Sequence, residues 1–446
     1  MRVTSLSMAS VEPEMRALRA SGPGTADVSQ IVAGILADVK ARGDAAVVEA
    51  TAKFDWPEVS VASLAVPEEE IEAAYKGLDP KLHAALEMSF KNSMSFHRRE
   101  MTPGWEVMGF QWQNLGARHL PVARAGLYVP GGLGSYASTV IMNACPALVA
   151  GVGEMFICTP PGKDGAVNKS VLAAARLVGI KRVFRVGGAQ AVAAMAYGTE
   201  TIPRAEVISG PGNVYVAEAK RQVYGLVGID SIAGPSEVLI LADAAAREDW
   251  VAADMLAQVE HGSGATAVLV AENEALCRSV EGAVTALRAR ALRERASGGG
   301  HQGVATPEAV AEADSRMTAF FSAPGEEFLS LCEAAAEAYA PEHLEIQLAN
   351  AREFLPRVRS AGAVFVGGLS ATAFGDYIAG SNHVLPTGGS ARFSSPLMVQ
   401  TFMRSSTHVE MTERAVELLT PHLAEIANSE GFYFHRLSAQ LRLENR

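Results

Sequence analysis

Apolar residues recur at helical spacing from Val28 to Phe54, and Gly43 breaks the run. A second helical stretch spans Glu68 to His97. From RAGLYVPGG (124–132) the texture changes to short apolar strands, Gly-rich turns and Ala-rich helices. MFICTPP, RVFRVGG, AEVISGPGN and SEVLILAD each read as a buried strand ending in a turn. TVIMNACPALVAGV, NKSVLAAARLVGI and GAQAVAAMAYGTE read as the helices that separate them. WVAADMLAQVEHG (250–262) and TAVLVAE add a further helix and strand. This alternation predicts an α/β fold with parallel sheets of Rossmann type. RERASGGGHQG (293–303) predicts a surface loop with His301 in solvent. The last 50 residues lose the strand rhythm and read as helical, an end suited to packing as an arm on another subunit. No repeat recurs at a fixed period.

A chain of 446 residues, 49% hydrophobic and 20% charged, can bury sizeable cores, about three units of roughly 150 residues each. The net charge of −11 argues against a general nucleic-acid binder, which needs clustered Lys and Arg. Cys145, Cys158, Cys277 and Cys332 form no CxxC pair, which fits reduced thiols in an intracellular compartment. The N-terminus lacks an apolar signal core, and no apolar run reaches the roughly 18 residues of a spanning helix. The expectation is a cytoplasmic protein without membrane or nucleic-acid partners.

AYAPEHLEI sets Glu342 beside His343, just after Pro341. Adjacent side chains diverge on a helix or strand, so the pair is either incidental surface or turned into one pocket by a loop or helix start. Gln258 and His261 lie three apart on a predicted helix and share a face. An imidazole and an amide oxygen can bind zinc, but His261 can equally cap a helix end before Gly262. Asp376 and His383 stand in a Gly- and Pro-rich loop (373–396), a texture that often carries function. There, Asp376 could instead satisfy turn N–H donors while His383 caps a strand. Glu430 and His435 are five apart, which puts them off one helical face and leaves them readable as surface charges. VGGAQA and GPGN hold Gln190 and Asn213 at strand-to-helix turns whose N–H groups can receive a dinucleotide's phosphates. Neither turn is GxGxxG, and a tight turn needing glycine explains them as well.

Together the segments carry more information. ARAGLYVPGG, YASTVIMNACPALVAGV, VGGAQAVAAMAYGTETIP, GPGNVYVAEAKR, GIDSIAGPSEVL, VAADMLAQVEHG, APEHLEI, GDYIAGSNHVLPT and ARFSSPLMV follow one another in this order. The set closely resembles the histidinol dehydrogenases, which make L-histidine from L-histidinol with two NAD, over residues 28 to 440. The resemblance implies two incomplete Rossmann-like domains with parallel sheets, plus small N- and C-terminal helical segments that intertwine in a homodimer. Its boundaries are 1–26 for the N-terminal helical segment, 27–127 with 238–397 for the zinc and catalytic domain, 128–237 for the NAD domain, and 398–446 for the dimerisation tail. It implies one zinc held by Gln258, His261, Asp376 and the partner's His435. Substrate contacts fall to Ser236, Glu342, His343, His383 and the partner's Glu430, as well as the metal ligands. Tyr128, Gln190 and Asn213 would touch NAD.

On this frame zinc clamps the imidazole and amine of histidinol, and positioning of that kind is worth up to roughly 7–11 kcal/mol of barrier. His343 is suited to take the alcohol proton, and Glu342 to activate the water that the aldehyde must gain before a second hydride leaves. Three departures stand out. Ala137 replaces a usual Pro, a change expected in a turn; 293–338 matches weakly; and Phe432 to Phe434 separate Glu430 from His435. The rivals are a related zinc and NAD enzyme acting on a sulfonated diol, a zinc hydrolase, and a non-catalytic binding module. A sulfonate pocket would want extra Arg or Lys, and a hydrolase would more naturally carry HExxH, which is absent.

Overall fold

The computed structural model describes residues 1–20, 27–131, 136–232, 234–262, 264–296, 314–323 and 325–444. Two parallel sheets dominate it. Arg124–Tyr128, Glu154–Thr159, Arg182–Arg185, Val207–Ser209 and Gly228–Ile229 form the first. Counted along the chain, these strands lie in the spatial order third, second, first, fourth, fifth, so the winding reverses beside Arg124–Tyr128. Glu237–Ala242, Thr266–Ala271, Met317–Ser322, His343–Gln347 and Ala363–Val366 repeat that order in a second sheet. Arg2–Leu6 extends its edge beside Met317–Ser322.

Both sheets are covered on both faces, which is why their strands read as continuous apolar runs. In the first, Leu127, Ile157 and Val183 join one core. Tyr128, Phe156 and Phe184 join the other. In the second, Leu239, Leu241, Leu344 and Ile346 face one core, and Val238 and Ile240 the other. Each such side chain stabilises the fold by about 1.5–3 kcal/mol.

Several boundaries differ from expectation. Residues 27–127 were expected with the second sheet, yet Val32, Leu36 and Val39 of helix Ser29–Arg42 complete a core of the first. Their stripe meets the Ala-rich helix Gly188–Tyr197, whose small side chains admit close approach. Leu86 of helix Pro80–His97 also packs on the first sheet's side. The stretch 68–97 is two helices, because Gly77 ends one and Asp79, accepting from the N–H groups of Lys81 and Leu82, caps the next ahead of Pro80. The segment 1–26 is not wholly helical, since Arg2–Leu6 is a strand before helix Val11–Ala20. Helix Glu274–Ala296 runs past 293, and His301 with residues 297–303 lies outside the described residues.

The tail is not wholly helical either. Met403–Met411 pairs antiparallel with Gln113–Pro121, which also pairs with Trp105–Met108. Helices Glu413–Ser429 and Tyr433–Glu444 follow. Ala137 is the first residue of helix Ala137–Ala150, a position that Pro also suits, so the substitution falls at a helix start. The four cysteines are buried and unpaired. Among the described residues no helix is long and apolar enough to cross a membrane.

Candidate active site

The acid–imidazole pair stands where the chain enters the strand His343–Gln347. Helix Phe328–Tyr339 ends at Ala340, whose φ of +44° is left-handed, and Pro341 follows. Glu342 then occupies a bend, and His343 is the first residue of the strand. Because Glu342 precedes the regular pleat, its carboxylate is not driven to the opposite face. Glu342 Oε2 lies 3.5 Å from His343 Nδ1.

Both side chains are buried and anchored. Glu342 Oε2 accepts from the Ser236 hydroxyl at 2.6 Å and from the Glu237 backbone N–H at 3.0 Å. The Gln258 amide nitrogen donates to Ser236 Oγ at 2.9 Å, so its oxygen, the ligating end of an amide, is not the end bound to Ser236. His343 Nδ1 is 3.3 Å from the Glu237 carbonyl, while among the described residues Nε2 has no hydrogen-bond partner and faces Asp376 Oδ1 at 3.6 Å, an ion-pair separation. Asp376 lies in the last turn of the short helix Thr372–Tyr377.

Charges in the cluster act on one another. Burial pushes the Glu342 carboxyl up, with His343 pulling it down. Burial alone would lower His343, but the carboxylates of Glu342 and Asp376 outweigh it and raise the imidazole to about 9. Asp376 is opposed by burial yet held below the ordinary carboxylate range by His343, His383 and His261. That influence brings His261 and His383 into the same neighbourhood. Burial lowers the half-buried His383. Gln258 is in the last turn of helix Glu248–Val259, and His261 lies just beyond it before Gly262, whose φ is +95°.

Two site residues have no local sequence signal. Glu237 is buried, accepts from Arg19 at 3.2 and 3.3 Å and from the Gly388 N–H at 3.1 Å, and is pushed up by burial. Arg19 reaches it across 218 positions of sequence, a pairing that only the fold creates.

Glu430 and His435 are elsewhere. Both are exposed on the tail, separated by the break at Gly431, and no hydrogen bond or ion pair joins them to the cluster among the described residues. Tyr128, Gln190 and Asn213 do come together. They line a cavity of about 1060 Å³ with Pro160, Lys169 and Gly188. The cavity lies at the carboxyl ends of the first sheet's strands, beside the point where the winding reverses, the usual place for a nucleotide in an open α/β sheet. The Tyr128 hydroxyl accepts from the Gly188 N–H at 3.1 Å. Asn213 Oδ1 caps helix Val214–Val223 by accepting from the N–H groups of Tyr215 and Val216, so the turn-forming reading also holds.

Residues 19–443 match the histidinol dehydrogenase family. The chain belongs to that family. It is 46% identical over 419 residues to histidinol dehydrogenase of Cereibacter sphaeroides, covering 94% of this chain and 92% of the relative. It is 43% identical over 411 residues to that of Synechococcus sp., covering 92% and 91%. The fold matches the crystal structure of histidinol dehydrogenase from Elizabethkingia anophelis with a TM-score of 0.90 at 30% identity, covering 100% and 98% of the two chains. As a member of this family the chain is an NAD-dependent oxidoreductase.

The donor set can be tested for a metal. Among the described residues no three His, Cys, Asp or Glu are arranged to hold an ion. An amide, an imidazole and a carboxylate from Gln258, His261 and Asp376 include only two residues of those types. Such a mixed set fits a divalent ion that takes at least one further ligand.

Proposed function

We propose that this histidinol dehydrogenase family member oxidises L-histidinol to L-histidine through L-histidinaldehyde, in two successive hydride transfers to two NAD, with one zinc per site. The observation that carries the reading is the convergence of Glu342 and His343 beside Ser236, Gln258 and Asp376. Gln258, His261, Asp376 and His435 of the partner subunit would hold the zinc. When bound, the metal would grip the substrate's amine and imidazole while NAD accepts hydride.

The chain's own groups handle protons and orientation. The Glu237 carbonyl can only accept a hydrogen bond, so His343 keeps its hydrogen on Nδ1. Asp376 is one of the two carboxylates that raise the imidazole, and with its charge engaged by a bound metal His343 would shed its second proton and offer Nε2 as the base. His343 Nε2 takes the alcohol proton as the first hydride leaves. The aldehyde must then be hydrated. Glu342 takes a proton from the attacking water, and its two hydrogen bonds from Ser236 and Glu237 both fall on Oε2, which leaves Oε1 for that task. His343 serves again when the hydrate loses its hydride.

Charge favours this substrate over a sulfonated one. Glu237, Glu342 and Asp376 gather there, and the nearby Arg19 is paired with Glu237, so an ammonium group is welcome and an anion is not. Ser236 and His383, with Glu430 of the partner subunit, would complete the substrate contacts, and Tyr128, Gln190 and Asn213 those to NAD. A homodimer fits the exposed aromatics Phe432, Tyr433 and Phe434 on the tail. Buried, unpaired cysteines accord with a cytoplasmic enzyme.

Measuring NADH formation from histidinol, with and without a chelator, tests the reading. Histidinol-dependent reduction that the chelator abolishes and zinc restores is expected. Turnover of sulfopropanediol in place of histidinol would overturn it.

A further inference from the structure

The strand His343–Gln347 carries two stripes. Leu344 and Ile346 enter one core of the second sheet, so His343, Glu345 and Gln347 face the opposite side, where helix Glu248–Val259 packs. Glu345 is 0% exposed, an unusual place for a carboxylate. Its Oε1 accepts from the Thr372 backbone N–H at 3.0 Å and from the Thr372 hydroxyl at 2.6 Å. Its Oε2 accepts from the Gln347 amide at 3.2 Å, and the same amide nitrogen is 3.5 Å from Asp254 Oδ2.

These partners lead to the candidate metal ligands. Thr372 begins the six-residue helix in which Asp376 stands one turn later. Asp254 stands one turn before Gln258 in its helix, on the same face. One buried carboxylate therefore links the strand that starts at His343, the helix that presents Asp376, and, through Gln347 and Asp254, the helix that presents Gln258. Burial, then the charge of Glu345, pushes the Asp254 carboxyl up to about 8, so Asp254 retains its proton at neutral pH.

We propose that Glu345 is a positioning residue of the metal centre, fixing Asp376 through Thr372 and Gln258 through Asp254. The proposal rests on the zinc reading above. Outer partners of this kind hold ligands in their binding geometry, and their loss typically weakens metal binding by about 10–100-fold.

The test is zinc affinity of the full-length enzyme, measured by competition with a chromophoric chelator, alongside its melting temperature. Thr372→Val, which removes the hydroxyl, and Glu345→Asp, which withdraws the carboxylate by one methylene, should each weaken zinc binding about tenfold. Thr372→Ser should bind as the parent does, a rescue that loss of packing alone would not give. Wild-type affinity in both Thr372→Val and Glu345→Asp would overturn the proposal, and if one of them fails to fold the other decides. His261→Asn separates the two levels. Zinc binding lost in His261→Asn but unchanged in the Glu345 and Thr372 variants sinks the positioning role alone, whereas unchanged binding in His261→Asn sinks the metal site itself.

Discussion

Glu342 Oε2 lies 3.5 Å from His343 Nδ1, although the two side chains leave consecutive residues. The left-handed Ala340 and the following Pro341 bring the chain into the sheet at a bend, and His343 is the first residue held in parallel register, opposite Val238 and Ala363. Glu342 is thus free of the alternation that would send it to the other face. A carboxylate and an imidazole reach one point because the strand starts between them.

On the proposed two-step reaction, Glu342 and His343 have separable tasks. Removing the carboxylate charge in Glu342→Gln keeps an oxygen to accept from Ser236 and Glu237 but ends its service as a base. We expect oxidation of the aldehyde to slow by about 100-fold or more, and oxidation of the alcohol far less. Single-turnover assays started from histidinol and from histidinaldehyde measure the two separately. Equal losses would reject the water-activating role.

A clamp stands behind Tyr128 and Asn213, the residues proposed to contact NAD. Lys220 and Asp230 form a buried ion pair that holds both backbone groups of Gly210, the carbonyl by Lys220 Nζ at 3.0 Å and the N–H by Asp230 Oδ2 at 2.8 Å. Gly210 has a φ of +121°, and a Cβ there would overlap the Tyr128 carbonyl oxygen. Gly210→Ala should therefore shift Tyr128 and the turn that ends in Asn213, raising the KM for NAD by roughly tenfold or more. An unchanged KM in a folded variant would show that this turn does not shape the nucleotide site.

How much of this was legible beforehand follows from what local pattern can encode. Parallel strands such as Glu154–Thr159 and Thr266–Ala271 are buried on both faces, so their apolar runs betray them, and the α/β class followed. Arg2–Leu6 and Met403–Met411 are edge or antiparallel strands whose identity depends on partners about 300 residues away, and no local pattern marks them. The cluster was legible in parts. Gln258 and His261 share helical spacing, loop texture marked Asp376, and the resemblance supplied Ser236. The Arg19–Glu237 pair was not, because nothing near either residue announces the other. Glu345 did leave a trace, a charge inside the apolar strand HLEIQ.

That buried carboxyl pair makes stability depend on pH in an uncommon direction. Asp254 holds its proton to about 8 in the folded chain, whereas in the unfolded chain it ionises near the usual value of about 4. Between these values the unfolded state has fewer protons bound, so stability present at low pH is lost as pH rises toward 8. Asp254→Asn removes the titration. Between pH 5 and 8 the parent's melting temperature should fall by roughly 2 °C more than the variant's. Parallel profiles would mean that Asp254 is ionised throughout.

The tail poses the question of which subunit completes the site. Its helix Tyr433–Glu444 has no buried residue, and Phe432, Tyr433 and Phe434 are 52%, 55% and 78% exposed around His435. If His435 crosses to a twofold partner, each site combines His343 of one subunit with His435 of the other. His343→Ala and His435→Ala homodimers should then both be nearly inactive, because each site lacks one of the two. In a dimer of one variant with the other, one site receives both intact histidines and its twin receives neither. Random co-assembly makes half the dimers mixed, so activity should return to about a quarter of the parent's. Co-expression with differently tagged subunits and isolation of the mixed dimer measures this directly. A mixed dimer no more active than the two homodimers would return His435 to its own chain or remove it from the site.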